Sequence, residues 1–129
     1  MITIYNFPRG ARGIRVFWLC EEMGLAYTPA AVSFPTSAEY RALNPLGSVP
    51  FLEDAGGVAI NESVAMMLYL AERYGPTPLL PGKSDPAFAR VLQFTVFGEA
   101  ALAAPMKAPW RARLAERPAY RRAQAAQQS

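Results

Sequence analysis

Histidine is absent from this 129-residue chain, cysteine occurs once and tryptophan twice. Without histidine there is no imidazole acid, base or metal ligand. A single cysteine excludes an internal disulfide and a cysteine-based metal site, and it suits a reducing cytosol. Long apolar runs are also missing. The stretch VAMMLYLA, residues 64–71, falls short of the ~20 residues a membrane-spanning helix needs. The opening MITIY lacks the basic and apolar regions of an export signal. These absences predict a soluble, cytoplasmic protein with no membrane partner and no metal. What is present suffices for a folded unit: 52% of residues are hydrophobic and 18% charged, in a length typical of one domain.

Charge is unevenly spread. Residues 107–122 carry Lys107, Arg111, Arg113, Arg117, Arg121 and Arg122 against Glu116 alone, a local +5. Residues 1–106 hold seven basic and nine acidic side chains, a net −2. A basic tail can address nucleic acid. Only Trp110 and Tyr120 offer rings for base stacking there, so a solvated helix face is the favoured reading over a nucleic-acid partner.

MITIY is β-branched and alternating, which predicts a first strand. GIRVFWLCEEMGL predicts a helix with two apolar stripes, one through Ile14, Phe17 and Trp18 and one through Val16, Leu19, Cys20 and Met23. Such a helix is covered on two sides and stops at Gly24. AYTPAAVSF predicts a second strand at a sheet edge, because Pro29 cannot donate to a ladder. Thr36 or Ser37 caps a short helix over TSAEYRAL. NPLGSVPFLED, residues 44–54, reads as a third strand from Ser48 to Glu53 with Pro50 inside it. A mid-strand proline needs a special reason, and a cis bond at Val49–Pro50 supplies one. DAGG is turn chemistry, so VAI follows as an antiparallel fourth strand. NESVAMMLYLAERYG predicts a helix capped by Asn61, with Val64, Met67, Leu68 and Ala71 on one face and Gly75 as its stop. Four prolines in residues 75–86 make a stiff linker. A largely apolar helix over 86–104, with Asp85 as cap, and two short helical pieces, WRARLAER and AYRRAQAAQ, complete the chain.

The order βαβ, short helix, ββα, with a proline before the third strand, resembles the thioredoxin fold. NPLGSVPFLED followed by INESVAMMLYLAERYG is similar to the glutathione transferase family, whose pattern is Asn-Pro-x-Gly-x-Val-Pro-x-Leu, then Glu-Ser opening a helix that closes on Tyr-Leu and Tyr-Gly. IRVFWLCEEMGLAY also resembles that family's first helix and entry into strand two. The likeness spans residues 1–82. It implies an α/β thioredoxin-like, glutathione-binding domain over 1–76 and an abbreviated all-helical segment over 83–129. RPAYRRAQAA resembles the family's extreme C terminus, which suggests an internal deletion in the second domain. The resemblance further implies that the backbone of Val49, presented by Pro50, pairs with the cysteinyl part of glutathione as an added strand would. Glu62 and Ser63 match the pair that holds the γ-glutamyl end, where a helix N-terminus favours a carboxylate. The alternative is that Asn61 and Ser63 only cap a helix and Pro50 is a feature of the fold.

Two departures from the family pattern stand out. The loop PRGARG, residues 8–13, has no hydroxyl or thiol to hold a thiolate. YNFPRG resembles the Tyr-x-x-x-Arg-Gly of other classes, so Tyr5 is the candidate catalytic donor, with packing under the loop as its alternative role. Asn6, Arg9 and Arg12 are candidates for thiolate support. Cys20 sits late in its helix on an apolar stripe and reads as core, which excludes dithiol redox chemistry. The second departure is the shortened helical domain: in the resembling family the electrophile pocket lies between the two domains, so the shortening bears on its shape and existence. The expected function is transfer of the glutathione thiolate, as co-substrate, to a small apolar electrophile by a homodimer. The other reading is a non-catalytic glutathione-binding or protein-interaction module.

Overall fold

Ile2, Ile4 and Asn6 alternate with half-buried Thr3 and Tyr5 along strand β1 (Ile2–Asn6), so one face of the strand is committed to a core. The computed structural model describes residues 1–102 and 115–128. Around β1 the elements run α1 (Ile14–Met23), β2 (Tyr27–Ala31), α2 (Ala38–Leu43), β3 (Phe51–Asp54), β4 (Val58–Asn61) and α3 (Ser63–Arg73). Next come α4 (Ala87–Phe97), a π-helical turn at Gly98–Leu102, and α5 (Pro118–Gln128). The four strands form one sheet in the order β2-β1-β3-β4. β1 and β2 are parallel, and β3 runs antiparallel to both β1 and β4. This is the thioredoxin-like arrangement with a short helical segment after it.

β2 lies at the edge, where the missing N–H of Pro29 costs least. Pro50 precedes β3 rather than interrupting it: the strand begins at Phe51, and the Val49–Pro50 bond is cis. Ser37 caps α2, its hydroxyl accepting from the Tyr40 N–H at 3.2 Å. Gly24 closes α1 at φ +65°, its N–H returning to the Cys20 carbonyl. The expected cap at Asn61 does not form, because Asn61 ends β4 and Glu62 takes the cap position with no side-chain cap bond.

The sheet separates two apolar clusters. On one face Ile2, Ile4 and Leu52 meet Val16, Phe17 and Cys20 of α1, Met66 and Leu70 of α3, and Ala123 of α5. Burying each large side chain of this set stabilises the fold by ~1.5–3 kcal/mol. The buried face of α3 runs through Ser63, Met66, Leu70 and Ala71, so of the expected stripe of Val64, Met67, Leu68 and Ala71 only Ala71 is buried. The other sheet face holds Phe51 and Val32 under Tyr40 of α2, with Tyr5, Phe7 and Val49 packed around them. Helix α1 is covered on two sides as its stripes predict, by the sheet and by α5. Trp18 meets Tyr120 edge-on at 5.3 Å, and the Arg117 guanidinium lies 5.6 Å from the Trp18 ring.

The basic tail is engaged within the chain. Arg117 pairs with Glu22, Arg122 donates to Glu21 at 2.5 Å, and Arg121 donates to the Ala115 carbonyl at 2.6 Å. Arg117 and Arg122 therefore dock the C-terminal helix on α1 rather than forming a merely solvated face, while the Arg121 bond is local. Lys107, Trp110, Arg111, Arg113 and most of WRARLAER lie outside the described residues. The expected apolar helix is observed as α4 up to Phe97, with the Asp85 carboxylate accepting from the Ala87 N–H at 2.8 Å. No helix of the described residues is long and apolar enough to cross a membrane.

Buried Asp54 ties the end of β3 to α3. Its carboxylate accepts from Tyr69 at 2.9 Å, Tyr74 at 2.5 Å and the Ala55 N–H at 2.7 Å. Burial acts to raise the Asp54 pKa, but the Tyr74 hydroxyl and the other donors outweigh it and hold the carboxyl below its usual range. A depressed carboxyl contributes stability above its unfolded pKa and loses it as pH falls through the folded value. Asp54→Asn should therefore destabilise the protein at neutral pH by ~1–3 kcal/mol. In thermal unfolding followed across acid pH, the gap between wild type and variant should close below the ordinary carboxylate range. A gap independent of pH would reject this role.

Candidate functional site

The C-terminal end of β1, the loop before β3 and the start of α3 converge on a cleft of about 360 Å³. That volume falls in the range of small-molecule sites. Phe7, Arg9, Gly10, Ala11 and Arg12 form one wall, Ser48, Val49 and Pro50 a second, and Glu62 and Ser63 the third. The sequence thus places Val49, Pro50, Glu62, Ser63, Arg9 and Arg12 around a single opening.

Each wall has a local cause. β1 ends at Asn6, and PRGARG loops back to start α1 at Ile14. Gly13 is required there: a Cβ at that position would lie 2.3 Å from the Asn6 Cγ. Val49 lines the cleft just before Pro50 and packs against the cluster of Val32, Tyr40 and Phe51. Glu62 adopts φ +73°, the one non-glycine residue with positive φ among the described residues. Such a conformation costs ~1–3 kcal/mol and clusters at ligand sites. It delivers the chain into α3, whose first N–H groups have no partner within the helix and carry the positive end of its dipole. Ser63 is buried at that point, with its Oγ 3.5 Å from the Arg15 guanidinium.

Two other candidates are placed differently from expectation. Strand alternation turns Tyr5 to the α2 face, where it packs on Phe51 and Tyr40 at 5.7 and 5.9 Å. Its hydroxyl donates to Glu53 at 2.8 Å, and it is not among the residues lining the cleft. Burial and the Glu53 carboxylate push its pKa up to about 12, the wrong direction for stabilising a neighbouring anion. Tyr5 therefore matches its packing alternative and not the donor role. Asn6 is buried beneath Gly13, and neither amide atom has a hydrogen-bond partner among the described residues. It supports the loop from below and does not reach the cleft. Cys20 is buried in the core, and burial with the nearby Glu21 pushes its thiol up to about 12, which removes it from thiolate chemistry.

Three residues given no site role by the sequence reading matter here. Glu99, in the π-helical turn after α4, pairs with both Arg12 and Arg15. Burial opposes its ionisation, but Arg15 and Arg12 outweigh that and lower its pKa. The helical segment is thereby held to the cleft wall through charge. Asn44 and Asn61 form a hydrogen-bonded amide pair behind the Ser48–Pro50 wall. The only sequence signal for them was their position, one flanking each half of the NPLGSVP…NES motif.

Mixed sheet and crossover helix define a thioredoxin-like domain, with a cleft at the loop before β3. Residues 13–73 match the family "Glutathione S-transferase, N-terminal domain". Glutathione S-transferase Z1 of Arabidopsis thaliana is 34% identical over 84 residues, which is 62% of this chain and 38% of that protein. A glutathione transferase from Methylococcus capsulatus superposes with a TM-score of 0.71 at 26% identity, covering 78% of this chain and 51% of its own. A glutathione transferase homologue from Sulfitobacter, solved with bound glutathione, gives a TM-score of 0.69 at 27% identity over 98% of this chain and 63% of its own. Residues 13–73 are similar to the N-terminal domain of the glutathione transferase family, and the chain spans less than half the length of the curated relatives it matches.

Proposed function

We propose that the cleft binds glutathione and that the protein adds the glutathione sulfur to a small apolar electrophile. The carrying observation is the convergence of Val49, Pro50, Glu62 and Ser63 on one opening, in a chain whose fold is similar to a glutathione transferase homologue solved with bound glutathione. In this reading residues 1–76 are the glutathione-binding unit and 83–129 a reduced helical partner. Val49 pairs with the cysteinyl backbone, the Ser63 hydroxyl and the α3 N-terminus receive the γ-glutamyl carboxylate, and Glu62 accepts from its ammonium. The bound thiol loses its proton to solvent. The thiolate then forms a bond to an electrophilic carbon, and the leaving group departs with the electron pair of the broken bond. With Tyr5 turned away, the thiolate is held by backbone N–H groups of PRGARG and by Arg9 and Arg12.

The same displacement of Tyr5 supports the second reading, a glutathione-binding module without turnover. Conjugation of an activated aryl chloride separates the two. Ser63→Ala should weaken glutathione binding by about tenfold, the cost of a hydrogen bond to a charged group. Calorimetry showing no saturable heat from the wild type at millimolar glutathione would sink the site itself.

If turnover is measurable, Tyr5→Phe should change it by less than about threefold. A loss of 10²-fold, typical of removing a preorganised donor, would return the catalytic role to Tyr5.

Assembly belongs to the same proposal. Helix α4 has no buried residue, and Phe94, Val96 and Phe97 are 64%, 53% and 46% exposed. Apolar surface of this kind marks an interface, and a twofold homodimer through α3 and α4 covers it in a cytoplasmic protein. Sedimentation at tens of micromolar should give twice the 14.1 kDa chain mass; a monomer mass would reject the dimer.

A further inference from the structure

Behind the cleft lies a hydrogen-bond network that no part of the proposed mechanism uses. Asn44 is 1% exposed, at the C-terminal end of α2. Its Nδ2 donates to the Ser48 carbonyl at 2.9 Å and to Asn61 Oδ1 at 3.0 Å. Asn61 Nδ2 donates back to Asn44 Oδ1 at 3.2 Å. Two reciprocal bonds between planar amides fix distance and orientation together, as one bond cannot. The Ser48 hydroxyl adds a bond to Asn61 at 3.1 Å, and the Tyr40 hydroxyl donates to the Ser48 carbonyl at 2.6 Å.

The placement of these contacts is informative. Ser48 immediately precedes Val49, and Asn61 immediately precedes Glu62. A peptide unit is planar, so its C=O and N–H point in opposite directions. Two donors clamped on the Ser48 carbonyl therefore aim the Val49 N–H away from Asn44 and Tyr40. A carbonyl that accepts two bonds also polarises its peptide and strengthens the N–H as a donor. At the other end, the held Asn61 side chain fixes the residue from which the chain swings into the positive φ of Glu62.

We infer that the Asn44–Asn61 pair, with Tyr40, is a positioning device that sets the separation and direction of the Val49 edge relative to the Glu62–Ser63 turn. A ligand that spans both walls gains its second contact only when that separation is right. This rests on the glutathione reading above, since it is glutathione that would bridge the two walls. Neither asparagine touches the ligand in this account; both act through their neighbours in sequence.

The test is a double-mutant cycle read by calorimetric glutathione binding well below each variant's melting temperature. Asn61→Ala removes both amide bonds and the Ser48 contact at a half-buried position. It should weaken binding by about tenfold, like Ser63→Ala. The double variant should lose far less than the hundredfold product of the two, because Ser63 is no longer held in register with Val49. Tyr40→Phe keeps the ring contacts with Tyr5 and Phe51 and removes the hydroxyl's bond to the Ser48 carbonyl and the 3.3 Å bond it accepts from Asn44 Nδ2. It should weaken binding about threefold or more and shift the Val49 amide resonance; if Asn61→Ala does not fold, the cycle runs with Tyr40→Phe in its place. A network that serves stability alone would lower the melting temperature, leave affinity unchanged or give fully additive losses, and so overturn the inference. If the wild type itself fails to bind glutathione, the functional reading falls and this inference with it. Normal binding by the wild type and loss in Ser63→Ala, with Asn61→Ala and Tyr40→Phe unaffected, would overturn the inference alone.

Discussion

One buried amide, that of Asn44, joins helix α2 to the two segments that lead into the Ser48–Pro50 and Glu62–Ser63 walls of the cleft. It ends α2, clamps the carbonyl before Val49 and pairs with the last residue of β4. A buried amide left without partners costs ~1–3 kcal/mol, so folding cannot close around Asn44 unless all three segments arrive in register. The conformation of Glu62 depends on this closure, since a residue at positive φ persists only where its surroundings over-determine it. The sheet and its two apolar clusters supply most of the stability, while the amide network settles where their loops point.

The helical segment is tied to that domain by three buried residues of α5, Ala119, Tyr120 and Ala123, and by charge. Ala123 reaches the core, and Arg117 and Arg122 meet Glu22 and Glu21 on α1. On the far side, Glu99 holds Arg12 and Arg15 at the cleft wall. Exposed ion pairs are individually worth ~0–1 kcal/mol, so these contacts orient α5 and the turn after α4 more than they stabilise them. Helix α4 exposes Phe94, Val96 and Phe97, and the proposed dimer takes its meaning from that face.

Much of the fold was legible in the sequence because local signals agreed with the global pattern. Gly24, Ser37 and Pro29 sit where helix stop, cap and edge strand require them. Where reading failed, tertiary geometry decided. Asn61 looks like a cap from its neighbours, but its amide is claimed by Asn44, 17 positions away in sequence. Tyr5 carries the right spacing for a donor, yet strand alternation sends it to the opposite face, where Glu53 takes its hydroxyl. Spacing along a chain fixes which residues approach a site; the parity of a strand fixes which side they approach from. Glu99 was invisible for a similar reason, since its partners lie over 80 positions away.

The central claim is that Val49 and the Glu62–Ser63 turn form one ligand site. Titrating the ¹⁵N-labelled protein with reduced glutathione and following backbone amide resonances tests it most directly. The account predicts saturable shifts centred on Val49, Glu62, Ser63 and the loop from Arg9 to Gly13. An unchanged spectrum at those residues, or shifts confined to the α1–α5 face around Glu22 and Arg117, would contradict it.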